Sequence, residues 1–325
     1  MYKKIVLLVV LCFLFTISCS SPSNPNNDNN GDGGSTVPPP ITTPTEEELI
    51  KKYGIDIGQA DEEISKQIEA NLKAYHDEMG SYRVILTGTP KDSYSQNSNK
   101  SLYILTLEAA LKVSSSMNIE LDIKNINFQD GSVKTGMFSG EVIENSENVV
   151  INFRFPENKI KTIEMDSFDW EHNTKEIRIP DSVITIGNTA FQYSANIEKL
   201  ILGNSIVSIG EQAFIGIEYL KELLIPESVT SIGTGAFAQS EYVEKITIPA
   251  SVKSIGSMAF VSCPSLTTVV YNGTSPDTIQ NNDAFLYCDK LSSLIVPNAP
   301  ETTTEALKSK WQNFLGGKFT DVRKE

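Results

Sequence analysis

The residues with the most suggestive chemistry are the glycines of SVTSIGTGAFAQS, Ser228 to Ser240. Gly233-Thr-Gly235-Ala-Phe-Ala238 reads as G-x-G-x-x-A, a permitted form of the loop that cradles a dinucleotide pyrophosphate. That loop works only between a strand and a helix whose N-terminus faces the phosphates. A second candidate is Asp28-x-Asn30-x-Asp32-Gly33, which matches the opening of a calcium loop. Its closing bidentate Glu should stand at position 39, where the chain has Pro39, and no helices flank it. The two histidines, His76 and His172, are too few for a zinc cluster, and both read as solvated surface. Neither a G-x-S-x-G elbow nor a G-x-x-x-x-G-K-[ST] loop is present. The acids are scattered. The expectation is a chain with no catalytic residues, no metal and no cofactor.

The elements that would have to position such groups begin with a leader. Lys3 and Lys4 precede Ile5–Ile17, an apolar run of 13 residues. About 20 are needed to span a bilayer, so the run fits a secretory signal peptide, residues 1–18. Thr16-Ile17-Ser18-Cys19 resembles a bacterial lipobox, with Thr16 where Leu is usual. The resemblance makes Cys19 a lipidation site and ties the protein to a membrane through an N-terminal lipid anchor. Residues 19–45 then form a tether rich in Asn, Pro, Gly, Ser and Thr, with nothing to bury and disorder expected. As a coil of about 26 residues it reaches roughly 25–30 Å.

The whole chain carries 27 basic and 41 acidic side chains, a net charge of −14. Loss of Lys3 and Lys4 with the leader takes it to −16. That balance argues against nucleic acid as a partner.

Residues 46–80 read as a helical segment. Thr45 with Glu48 forms a capping box, and Ile64, Ile68, Leu72, Tyr75 and Met79 share one helix face with Gly80 as the stop. Within residues 81–152, YRVILTG, SLYILTLEAALKV and NIELDIKNI read as strand, helix and strand, a parallel start to a sheet. Residues 153–297 are repetitive. Phe191, Phe214, Phe237, Phe260 and Phe285 each follow Ala, at spacings of 23, 23, 23 and 25. A degraded copy places Ser167-Phe168 in the same phase. Such a period signals a solenoid, whose rungs bury their apolar positions only by stacking. Residues 298–325 supply a helix with Trp311 and Phe314 to cover the last rung.

The phrase I-P-x-S-V-x-x-I-G-x-x-A-F, repeated from Ile179 onward, is similar to the BspA-type leucine-rich repeat of bacterial surface proteins. Gly203 and Asn272 depart from it by replacing the Pro. The resemblance implies an α/β solenoid: a leucine-rich repeat stack of about 23-residue rungs with one parallel sheet, an N-terminal strand-helix-strand cap and a C-terminal capping helix. It also implies a cell-surface protein, an exported lipoprotein of the outer membrane, whose partner is another protein: a host extracellular-matrix protein or one on another cell. The alternative is a scaffold lipoprotein facing the periplasm.

Position in the rung sorts the strand residues. Those three and one before the Pro position point inward. The residue two before points outward: Arg178, Ile201, Leu224, Thr247, Val270 and Ile295. Four of these six are aliphatic, which makes an apolar stripe. It is either a partner-binding face or plain strand propensity. Four and five before, Glu176, Lys199, Glu222, Lys245 and Lys175, Glu198, Lys221, Glu244 alternate in sign from rung to rung and predict ladders of ion pairs. Cys263 and Cys288 occupy one column, as a disulfide or as buried thiols. Gly233 aligns with Gly187, Gly210 and Gly256, whereas Gly235 is set against Thr189, Gln212 and Ser257 and reads as an incidental surface glycine.

Overall fold

The computed structural model describes residues 43–92, 94, 100–280, 283–300 and 305–324. Cys19, the leader and the acidic run Asp28–Asp32 lie outside them. Pro44–Glu325 forms one compact unit.

The N-terminal part contains α1 (Glu46–Tyr53), β1 (Gly54–Asp56), α2 (Asp61–Met79), β2 (Tyr82–Gly88), α3 (Leu102–Val113) and β3 (Ser116–Ile126). Next come β4 (Ser132–Val133), β5 (Asn148–Arg154), β6 (Thr162–Ile163) and β7 (Glu176–Arg178). The stack continues with β8 (Thr185–Ile186), β9 (Lys199–Ile201), β10 (Ser208–Ile209), β11 (Glu222–Leu224), β12 (Ser231–Ile232), β13 (Lys245–Ile248) and β14 (Ser254–Ile255). It closes with β15 (Thr268–Tyr271), β16 (Ser293–Ile295), α4 (Glu305–Gln312) and β17 (Asp321–Arg323).

Local chemistry sets the first elements. Thr45 caps α1: its Oγ1 accepts from Glu48 N at 3.3 Å, and Thr45 N donates to the Glu48 carboxylate at 2.8 Å. Ile64, Ile68, Leu72 and Tyr75 are the buried face of α2, and Gly80 ends it at φ 69°. β2, α3 and β3 make the expected strand-helix-strand cap, inside a parallel sheet ordered β1-β2-β3-β5. Arg83, buried on β2, joins Glu46 of α1 to Glu120 and the fully buried Asp122 of β3. The Arg83 hydrogen bonds pull the Glu46 carboxyl down to about 2.

The solenoid forms as the period requires. Its axis is a column of nearly parallel rings, Phe168, Phe191, Phe214, Phe237 and Phe260, with successive centroids 4.9, 5.0, 5.2 and 5.8 Å apart. Each fully buried ring contributes about 1.5–3 kcal/mol. The column starts one rung earlier than the period indicates, because Phe138 stacks on Phe168 at 5.1 Å. At the far end Tyr271 stacks on Phe314 at 4.7 Å, and Trp311, wholly buried, packs beside both. The capping helix is therefore present, and β17 adds a further strand beside β16.

The single parallel sheet expected for the stack resolves into two faces of parallel strands. Long strands line one face, as β7-β9 and then β11-β13-β15-β16-β17. Two-residue strands at the Ser-Ile positions line the other, in the continuous order β14-β12-β10-β8-β6-β4.

Candidate binding face

The glycine motif dissolves into the repeat. A Cβ on Gly233 would lie 2.5 Å from Glu211 N and from Gly210 C, so the preceding rung demands glycine there. Gly235 is not incidental. It has φ 59°, and Asp166, Thr189, Gln212 and Met258, the last being the true counterpart in place of Ser257, are left-handed too, so glycine is the least strained choice. Turns, not a helix, follow it, and no helix among the described residues lies between α3 and α4. The loop offers a pyrophosphate no helix N-terminus.

The histidines differ from expectation in one case. His76 is exposed and stacks on Tyr82 at 4.4 Å. His172 is half-buried against Trp170 rather than solvated, and burial lowers its pKa. Cys263 and Cys288 are buried free thiols. Cys288 Sγ donates to Phe260 O at 3.2 Å and Cys263 Sγ more weakly to Phe237 O at 3.6 Å.

On the long-strand face the alternation places Ile177, Ile179, Leu223, Ile225, Ile246 and Ile248 in the core. The outward residues form a column, but an uneven one. Leu224 is 69% exposed and Arg178 is exposed. Ile201, Thr247, Val270 and Ile295 are half-buried between their neighbours. Strand pairing aligns Arg178 with Ile201, Leu224 with Thr247, Thr247 with Val270 and Val270 with Ile295. No pairing joins β9 to β11, so the column comes in two blocks.

Two aromatic residues that the strand pattern did not single out flank this column. Tyr219 and Tyr242 are 47% and 44% exposed, and their rings stack at 5.5 Å. Both stand five residues after the rung Phe, so reading that column of the repeat would have found them. The charge ladders form only in part. Lys175 pairs with Glu198 at 3.0 Å and Lys199 with Glu176 at 2.7 Å. Among the described residues no ion pair continues to Lys221, Glu222, Glu244 or Lys245. Exposed pairs of this kind contribute about 0–1 kcal/mol each.

Taken together, the face offers Leu224, the aliphatic column and two stacked tyrosines, ringed by charges of both signs. Aromatic and aliphatic surface with a charged rim is the composition of a protein-binding patch.

Comparison with family models agrees with the repeat. The model of the BspA type leucine rich repeat region matches in six copies, over residues 144–267 and 217–310. Among solved structures, a leucine-rich repeat protein of T. pallidum is 21% identical, with 65% of this chain and 88% of that one covered at a TM-score of 0.42. A leucine-rich repeat protein of Bacteroides ovatus is 20% identical over 63% of this chain and 60% of its own, at a TM-score of 0.35. A leucine rich cell surface protein of Faecalibacterium prausnitzii is 20% identical over 66% and 62%, at 0.29. Comparison with curated proteins gives no match.

Proposed function

The chain belongs to the BspA type leucine rich repeat family, and from that premise we propose that it is a non-enzymatic binding protein of the bacterial surface. Leucine-rich repeat proteins in general bind other proteins. The reading proposed for this chain is finer: an exported lipoprotein of the outer membrane, held through Cys19. Its partner is a protein of the host extracellular matrix or of another cell. The observation that carries it is the exposed Leu224 within an aliphatic column flanked by Tyr219 and Tyr242. The lipobox-like Thr16–Cys19 supports the anchor, and the net negative charge disfavours nucleic acid.

Two experiments test the reading. Metabolic labelling with palmitate should mark the wild-type protein and not Cys19→Ala; equal labelling of both refutes the anchor. Protease added to intact cells should remove the solenoid. Protection of the chain would instead favour a scaffold facing the periplasm.

A further inference from the structure

The long-strand face opens where β9 should meet β11. On either side the rungs are bonded in one pattern: Ile179 N donates to Ile201 O at 2.8 Å, and Ile225 N to Thr247 O at 3.2 Å. Glu198 N likewise donates to Lys175 O at 2.9 Å, and Glu244 N to Lys221 O at 2.8 Å. Among the described residues the matching bonds from Leu202 N and Lys221 N are absent. On the opposite face the same rungs stay joined through β8, β10 and β12. The opening is also closed at both ends, by Glu218 N on Ala195 O at 3.1 Å and by Ser228 Oγ on Ile206 O at 2.7 Å. Two strand edges thus face each other unbonded inside the stack. Such edges present free N–H and C=O groups to any strand that can reach them.

One column of the repeat changes here. The position three after the rung Phe holds Glu171, then Ser194, Ser240, Cys263 and Cys288, but Ile217 in this rung. Ser194 Oγ donates to Phe168 O at 2.8 Å and Cys288 Sγ to Phe260 O at 3.2 Å, each on the preceding rung, while Ser240 Oγ bonds within its own rung to Phe237 O at 2.9 Å. Ile217 is 1% exposed and carries no donor, so this rung lacks that side-chain bond, although its backbone stays tied to the preceding rung through Tyr193 N on Ile215 O at 2.7 Å and Glu218 N on Ala195 O at 3.1 Å. Between the two strands lies a cleft of about 490 Å³. Leu200 and Leu220 give it an apolar wall, and Glu198 and Lys199 stand on one lip opposite Lys221 and Glu222 on the other. Lys221 and Glu222 have no ion-pair partner among the described residues.

We propose that this cleft is a docking slot for an extended segment of a partner polypeptide. The proposal rests on the protein-binding reading and makes it specific. The segment places one apolar or aromatic side chain on Leu200 and Leu220. An acidic and a basic residue beside it pair with Lys221 and Glu222, and its backbone bonds to the free strand edges. This is strand addition at an edge, here with the edge inside a stack instead of at its end.

The test begins with amide exchange on the whole protein. Amides of Leu200–Leu202 and Lys221–Leu224 should exchange faster than those of Ile246–Ile248, and Ile217→Ser should slow them by restoring the column. A random 12-residue peptide library displayed on phage is then selected on the wild type. Enriched peptides should carry an apolar residue between opposite charges, protect the two lips from exchange, and bind Ile217→Ser at least tenfold more weakly. Leu200→Gln, which leaves Ile217 in place, should show the same loss if Ile217→Ser fails to fold. Slow exchange at the lips of the wild type overturns the proposal. So do a library without enriched peptides and peptides that bind both variants as tightly as the wild type. Peptides that ignore both variants yet are lost in Val270→Asp would leave the face as a binding surface and remove the slot.

Discussion

Glu171 stands in the same column as Ser194 and Ile217, with no exposure and no hydrogen-bond partner on either carboxyl oxygen. Its surroundings are the hydroxyl of Thr174 and Tyr103 of α3, whose Oη accepts from Asn173 N at 3.0 Å. No ion pair reaches it among the described residues. Burial therefore pushes its pKa well above the usual carboxylate value of 4.5, with Asp169 adding to the rise. The folded protein then holds one proton that the unfolded chain releases. Stability is greatest below the unfolded value and falls as pH rises, by about 1.4 kcal/mol per pH unit, until the folded group ionises. Glu171→Gln keeps the shape and removes the proton. Urea unfolding followed by circular dichroism should show the two stability curves diverging as pH rises above the usual carboxylate range, the variant gaining by up to about 1.4 kcal/mol per pH unit. Other titrating groups cancel in that difference. Parallel curves would mean that Glu171 is ionised in the fold, and the reasoning would fail.

Two other perturbations follow from the packing. Arg83→Met removes the nearest cation of the buried Asp122, leaving Arg154 and Lys124 at 3.8 and 3.9 Å, and should cost up to about 3 kcal/mol in urea unfolding, most of it recovered by adding Asp122→Leu; equal stability of Arg83→Met and wild type would refute the link. Gly233→Ala drives a methyl into the preceding rung and should lose about 3 kcal/mol, whereas Gly235→Ala meets only Gln212 Cγ at 3.4 Å, an ordinary contact, and bears left-handed strain of about 1–2 kcal/mol. The order of their melting temperatures checks this, and a reversed order contradicts it.

The solenoid was legible because one feature, Ala-Phe every 23 residues, dictates both the period and the buried ring column. Phe138 escaped because the residues after it lengthen the step to Phe168 to 30. The short-strand face escaped for a different reason: two residues, as in Ser208–Ile209, are too few to show alternation. Gly235 was misread because its neighbours in the column, Thr189 and Gln212, accept left-handed backbone without being glycine. For the site, sequence spacing placed Leu224 and its column on the outward face. It could not show that β9 and β11 part, since ion-pair and hydrogen-bond ladders assume uniform rung spacing. The one local sign was Ile217, a branched apolar side chain in a column that otherwise holds Glu171, Ser194, Ser240, Cys263 and Cys288.

The binding claim is met most directly by surface plasmon resonance over a panel of immobilised extracellular-matrix proteins. Wild type is compared with the double variant Ile201→Ser, Leu224→Ser. The account predicts saturable binding to at least one panel member, weakened at least tenfold in the variant while its melting temperature stays within a few degrees. No binding to any member, or equal binding by a normally folded variant, would contradict it.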